Sequence, residues 1–319
     1  MAEKKRFFYG WLILLTCILI MGLGYAPLVS CASLFTKQVT EDLGFTRSGY
    51  ALVSTIAALM MAFMSPFIGK IMSKPYMHKA LVVCMIGNCL AYYCYSFAST
   101  LPQFYVTAAC IGFFECGSTM IPVSVLITNW FRKKRGLVMS IAMVGSSIGG
   151  TILSPIIGNL IASQGWRFTY KAVGITRLVI LVPLVLLVIR RTPADMGTKA
   201  YGADEEGETG KARKTEREWN VSLKEVKKKP MFWCFVLGCT LISATAAVIT
   251  QIPASVMDAG YATTTAASIA SLYLFIAIPG KLVLGHIYDR YGVKAGILFG
   301  NTMFFLSVVC LIFIKHQPF

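Results

Sequence analysis

The sequence predicts an all-α membrane protein, and three observations carry that expectation. Of 319 residues, 56% are hydrophobic and only 14% charged, with a mean hydropathy of +0.67. A soluble domain carries roughly 25% charged residues. The apolar residues are gathered into runs of about 20, the length that crosses a hydrocarbon core of about 30 Å at 1.5 Å per residue. Lysine and arginine, finally, crowd into alternate connections between those runs.

The runs lie at 8–34, 49–71, 80–99, 104–130, 136–162, 172–189, 231–256, 265–288 and 293–314. Each is expected to be a helix, because an open sheet edge in lipid leaves backbone groups unpaired. The first run follows Lys4-Lys5-Arg6. It is too long for a secretory leader and has no small-x-small cleavage site after Pro27, so it is expected to remain as an uncleaved span.

The net charge is +16. With the N-terminus in the cytoplasm, most basic residues fall inside: Lys4 to Arg6, Lys70 to Lys79, Arg132 to Arg135, the 190–229 connection, and Lys281 to Lys294. Lys37, Arg47, Arg167 and Lys171 stay outside. That asymmetry is the positive-inside bias, so the charge reports topology and not nucleic-acid binding. All ten cysteines sit within or at the ends of apolar runs and none forms C-x-x-C, which leaves them as small buried hydrophobes with no disulfide and no metal site expected.

The runs divide six and three. The expected domains are a six-helix transmembrane bundle over 1–190, a cytoplasmic linker over 191–230, and a partial second bundle over 231–319. The linker carries the acidic stretch Asp204-Glu-Glu-Gly-Glu208 among many basic residues and reads as a solvated, partly disordered connector. Within it, Trp219 to Lys229 reads as a short surface helix with its lysines toward anionic lipid.

The most informative stretch is Gly280-Lys281-Leu-Val-Leu-Gly285-His-Ile-Tyr-Asp289-Arg290-Tyr-Gly292-Val-Lys294, a polar hinge between the last two runs. Gly69-Lys-Ile-Met-Ser73-Lys74 after the second run repeats it, with Ser73 in the place of Asp289. The pattern G-K-x-x-x-G-x-x-x-D-R-x-G-x-K resembles the signature loop of the major facilitator superfamily of secondary transporters. Further stretches narrow the likeness. They are Trp130-Phe-Arg-Lys-Lys-Arg135-Gly136, Gly145-Ser-Ser-Ile-Gly149-Gly150 with Ser154-Pro155, Gly165-Trp166-Arg167, and Thr192-Pro193-Ala-Asp195-Met-Gly197. Together they resemble the branch of monocarboxylate transporters and oxalate:formate antiporters.

The resemblance implies a major facilitator fold: a six-helix N-terminal bundle followed by half of a second one, as in a fragment of a twelve-span carrier. It implies secondary active transport of a small organic anion, a monocarboxylate or dicarboxylate, by alternating access across the cytoplasmic membrane. Coupling would be to protons or to a counter-anion. It implies no cofactor, no metal and no enzymatic step, and membrane lipid and a monomeric state as the surroundings. A proton-driven exporter of cationic or amphipathic compounds, and a transporter-like sensor, remain as alternatives.

Charge buried at depth in a bilayer is expensive and usually functional. Glu115, mid-way along the fourth run, is therefore either the proton carrier or a hydrogen-bonded structural carboxyl. Lys281 lies four residues before Gly285, where the resembled branch often places a cation for the substrate carboxylate; alternatively it snorkels to the cytoplasmic interface. Arg177, in the outer third of the sixth run, is read as a snorkelling or outer-gate charge with substrate contact as the alternative. Tyr25, Gln251 and Tyr273 are further candidates for cavity contacts. Gly285, Asp289, Arg290 and Gly292, with Arg135, form the expected conformational latch. In the resembled carriers that aspartate meets the cytoplasmic N-terminus of the fifth span, here Arg135-Gly136.

Overall fold

With no water to satisfy backbone groups at depth, the described residues are helical almost throughout. The computed structural model describes residues 8–202, 223–258 and 260–314. Among the described residues six continuous helical stretches are long and apolar enough to cross a membrane, and two of these fold over at a glycine.

The first span runs from Gly10–Leu19 through a π-helical segment, Ile20–Tyr25, into Ala26–Val29. Ser33–Leu43 continues it outward and ends at Gly44, whose φ of 66° stops the helix. The second span, Arg47–Met72, starts on Thr46, whose hydroxyl accepts from the Gly49 amide at 3.2 Å. The third is Met77–Cys94. The fourth is Leu101–Ser118 and Met120–Trp130, broken at Thr119 (φ −122°, ψ −99°).

The fifth and sixth spans form one stretch, Arg135–Val188, bent at Gly165 (φ 81°). The seventh is Pro230–Thr250, followed by the short helix Ile252–Asp258. The eighth and ninth, Thr263–Ile314, meet at Gly292 (φ 82°). Gly296 faces the Tyr288 ring and Gly300 faces Leu284, pairs placed symmetrically about Gly292, so these two spans form an antiparallel hairpin.

Two expectations need correction. Hydropathy leaves 163–171 as an outer loop, yet helix continues on both sides of Gly165. An apolar window reports contact with lipid, whereas the backbone stays helical as it enters water. Arg167 there lies 4.3 Å over the Trp166 ring and donates to the Ser96 carbonyl at 3.0 Å.

The second correction concerns the start of the linker, which is tied down. The Thr192 amide donates to the Asp195 carboxylate at 2.9 Å, and Tyr201 donates to the Trp130 carbonyl at 2.9 Å while accepting from the Arg132 amide at 3.0 Å. Leu223–Val226 is helical. The acidic stretch 204–208, the residues 219–222 and the basic residues 4–6 lie outside the described residues.

Large apolar side chains point outward, among them Leu59, Phe63, Leu187 and Leu298, each at least 65% exposed. A lipid environment accounts for them, since lipid tails solvate leucine as well as another leucine does. Association then depends on close contact and not on exclusion of water. The fifth span supplies it through glycine. A Cβ on Gly145 would stand 2.3 Å from the Ile18 carbonyl oxygen, and one on Gly149 would stand 2.2 Å from that of Gly22. The second and fourth spans meet in the same way, Gly112 against the backbone of Ala57.

These contacts predict the outcome of a substitution pair. Gly149→Val should destabilise the protein by about 3 kcal/mol or more, since the obstruction is backbone and cannot turn aside. Gly238→Ala, where nothing lies within 4 Å, should leave stability unchanged. Thermal unfolding in detergent measures both.

Candidate functional site

The fifth and eighth spans pack along their whole length, and the small residues on each decide where. Gly158 meets Ala267 near the outer end, and Gly150 meets Leu274 further in. Between them the Ser271 hydroxyl donates to the Thr151 carbonyl at 2.7 Å. At the inner end a Cβ on Gly285 would stand 2.2 Å from Ser140 Oγ and 3.1 Å from the Gly136 carbonyl oxygen. Lys281, Gly285 and Asp289 are spaced four apart, so one helical face carries all three to this seam.

Lys281 uses the seam. Its half-buried ammonium donates to the Met143 carbonyl at 3.0 Å and to Ser146 Oγ at 2.8 Å, both on the fifth span. It therefore turns into the protein and does not snorkel to the interface. Among the described residues no carboxylate pairs with it; the ion pair between described residues is Arg47 with Asp258. A cation held by neutral acceptors keeps its charge available to an anion.

Asp289 lies at the Gly136 end of the seam. Its two carboxylate oxygens accept from the amides of Gly136 at 2.9 Å and Leu137 at 2.7 Å. These are orphan donors of the first turn of the fifth span, where the helix dipole also favours negative charge. Lys134 at the N-cap position has φ 56° and offers no side-chain cap, so the cap comes from the other helix. The contact is to backbone and not to Arg135, whose Nε donates to the Phe131 carbonyl at 2.9 Å. Arg290 is exposed and sits 5.5 Å over the Tyr291 ring. The hydroxyl of the equivalent Ser73 of the first half donates within its own helix, to the Lys70 carbonyl at 2.8 Å.

A second polar group lies inside the N-terminal bundle. Arg177 is 2% exposed, so it does not snorkel to the interface. Its Nη2 donates to the Gly24 carbonyl at 2.9 Å and to Asn88 Oδ1, and its guanidinium lies 4.9 Å over the Tyr92 ring. The physical reason is local. The bundle interior offers two acceptors and an aromatic face within reach, so the side chain need not travel to water.

Glu115 is 7% exposed and faces the same core. Arg177 and Tyr25 lie near enough for their charges to interact with it. No described residue donates a hydrogen bond to its carboxylate. The Glu115 carbonyl is triply engaged at the break in the fourth span, accepting from Thr119 N at 3.1 Å, Thr119 Oγ1 at 2.9 Å and Ser118 Oγ at 3.3 Å.

The remaining candidates spread out. Tyr25 ends the π-helical segment beside Glu115. Tyr273 is half-buried on the eighth span near Cys31 of the first. Gln251 stands exposed at the break after the seventh span, its carbonyl accepting from Ser255, and shares no hydrogen bond with the others.

Sequence reasoning missed Met143, Ser146 and the outer tie. There Lys37 donates to the Met257 carbonyl at 2.9 Å, Gln38 donates to Thr263 Oγ1 at 3.1 Å, and Arg47 pairs with Asp258. The four-residue spacing of Lys281, Gly285 and Asp289 could have flagged the seam. No local pattern marks Met143, which acts through its backbone.

Comparison with known proteins agrees with this architecture. The chain is similar to the human protein "Monocarboxylate transporter 2", 24% identical over 229 residues, covering 70% of this chain and 45% of the relative. It is similar to the "MFS-type transporter pytF" of Aspergillus terreus, 26% identical over 209 residues, covering 65% of this chain and 62% of that one. It thus spans less than two thirds of these relatives. A crystal structure of a bacterial homolog to the human lysosomal transporter Spinster, inward-facing and unoccupied, superposes with a TM-score of 0.69. The likeness has 17% identity and covers 91% of this chain and 64% of that one, and it speaks for the fold alone. The family description "Major Facilitator Superfamily" matches residues 12–318, and the chain belongs to that superfamily.

Proposed function

We propose that this protein is a secondary active transporter that moves a small organic anion, a monocarboxylate or dicarboxylate, by alternating access. The observation that carries this reading is Lys281: an ammonium at the seam between the two bundles, bonded only to neutral oxygens among the described residues. A substrate carboxylate supplies the charge that Met143 and Ser146 lack, and taking Lys281 from them loosens the fifth span from the eighth. Tyr25, Tyr273, Arg177 and Gln251 are secondary candidates, of which Tyr25 and Tyr273 stand on the spans nearest the seam. The similarity to monocarboxylate transporters supports the anion class.

Glu115 is the proposed proton site. It is nearly enclosed and accepts no hydrogen bond from a described residue, and a lone buried carboxylate is costly in that form. The proton and the anion then travel together, with exchange for a second anion as the other mode. Asp289 on Gly136 and Leu137 is the proposed inner latch, hinged at Gly285 and Gly292, with Arg135 and Arg290 flanking it. The proposed setting is the cytoplasmic membrane with the N-terminus inside. The proposed division is bundle 1–190, linker 191–230 and second bundle from 231.

Uptake of radiolabelled monocarboxylate into proteoliposomes tests the reading. Lys281→Gln should lower uptake at least about 10-fold, the worth of a charge-assisted hydrogen bond, while Lys281→Arg retains part of it. Unchanged uptake in Lys281→Gln removes the anion role. Glu115→Gln should abolish the acceleration of uptake by an inward proton gradient.

The latch is tested separately. Asp289→Ala removes a cap worth about 1 kcal/mol, so labelling of Ser140→Cys from the cytoplasmic side should rise roughly 5-fold. Labelling that does not change would show that Asp289 does not hold the inner seam.

A further inference from the structure

Donors and acceptors do not balance in the core of the N-terminal bundle. Arg177 has two buried nitrogens, Nε and Nη1, with no hydrogen-bond partner, and Asn88 Nδ2 beside it has none either. Arg177 holds the Gly24 carbonyl, Gly24 packs against Thr119, and Thr119 bonds the carbonyl of Glu115, whose carboxyl accepts no hydrogen bond from a described residue. Buried donors without acceptors thus lie in the same bundle core as a carboxyl without donors. A buried unsatisfied polar group is costly, and a buried guanidinium more so.

The arrangement makes sense if it is one half of a pair of states. Nη2 is fixed to the Gly24 carbonyl and to Asn88 Oδ1, which aims the rest of the guanidinium without using it. Gly24 lies in the π-helical segment Ile20–Tyr25 just ahead of Pro27, which has no amide hydrogen to give the preceding turn. The Gly24 Cα faces Leu181 of the sixth span and Thr119 at the break in the fourth. The first, third, fourth and sixth spans therefore converge on this arginine.

We propose that Arg177 is the positioning residue for the proton site, its free Nε and Nη1 receiving the Glu115 carboxylate whenever the proton has left. Protonated, Glu115 stands alone as a neutral acid. Ionised, it moves onto the waiting donors, and the Gly24 bond carries the change to the π-helical segment of the first span and to Tyr25. The other titratable groups facing this pair are Tyr25, Tyr95 and Cys116 around Glu115, and Cys89 and Tyr92 around Arg177. None of these carries a fixed positive charge, so Arg177 is the counter-charge at this place. The pairing rests on the reading of Glu115 as the group that gains and loses the proton.

The test is a double-mutant cycle on the full chain in detergent: Glu115→Gln, Arg177→Gln and both, melted at acid and at alkaline pH. At alkaline pH, Arg177→Gln should lower the melting temperature by roughly 5 °C more when Glu115 is intact than in the Glu115→Gln background, as for a broken buried pair. At acid pH the two losses should be equal. Equal losses at both pH values would overturn the proposal, leaving Arg177 as a clamp on Gly24 and Asn88 only.

If Arg177→Gln does not accumulate folded, the Arg177 side-chain Nε–H resonance is followed instead, assigned by its disappearance in Arg177→Lys. It should move with pH in the unsubstituted protein and hold still in Glu115→Gln; the same behaviour in both overturns the pairing. Pairing without proton-driven uptake would fault only the carrier role of Glu115. Proton-driven uptake lost in Glu115→Gln, with no coupling in the cycle, would fault only Arg177.

Discussion

The contact on which the rest of the structure depends is the fifth span lying between two partners. Toward the first span it presents Gly145 and Gly149, against the carbonyls of Ile18 and Gly22. Toward the eighth it presents Gly136, Ser140, Gly150 and Gly158. In lipid no hydrophobic force draws helices together, so closeness of approach is what stabilises the assembly. One helix with small residues on two faces joins both bundles.

Closeness also explains the chemistry at the seam. Because Gly285 and Gly136 bring two backbones together, the next residues along each helix fall within bonding range. Asp289 reaches the unpaired amides of Gly136 and Leu137 four residues further in. Lys281 reaches the Met143 carbonyl four residues further out. A bulkier residue at 285 would separate the helices and break both contacts at once. The contact at the other end, made by Lys37, Gln38 and Arg47, rests on long side chains and not on close backbone packing.

Inside the N-terminal bundle the governing cost is electrostatic. Arg177 and Glu115 are enclosed there, and each is expensive alone. The π-helical segment of the first span and the break at Thr119 in the fourth lie at the same level. Irregular helix of this kind exposes carbonyls that regular helix would hide, and Gly24 is one that the arginine uses.

The sequence alone determined the class of fold. Lipid demands helices of a set length, so runs of apolar residues mark the membrane-spanning helices. The G-K-x-x-x-G-x-x-x-D-R pattern also singled out Lys281, Gly285 and Asp289, though their four-residue spacing along one helical face went unread. Their partners were not legible. Met143, Gly136 and Leu137 act through backbone atoms, which every residue possesses and no sequence pattern singles out. The direction of Arg177 was not legible, because hydropathy measures depth along a helix and says nothing of its rotation. Only the packed bundle decided that its guanidinium turns toward Gly24, Asn88 and Tyr92, because direction around a helix is fixed by which neighbours come close.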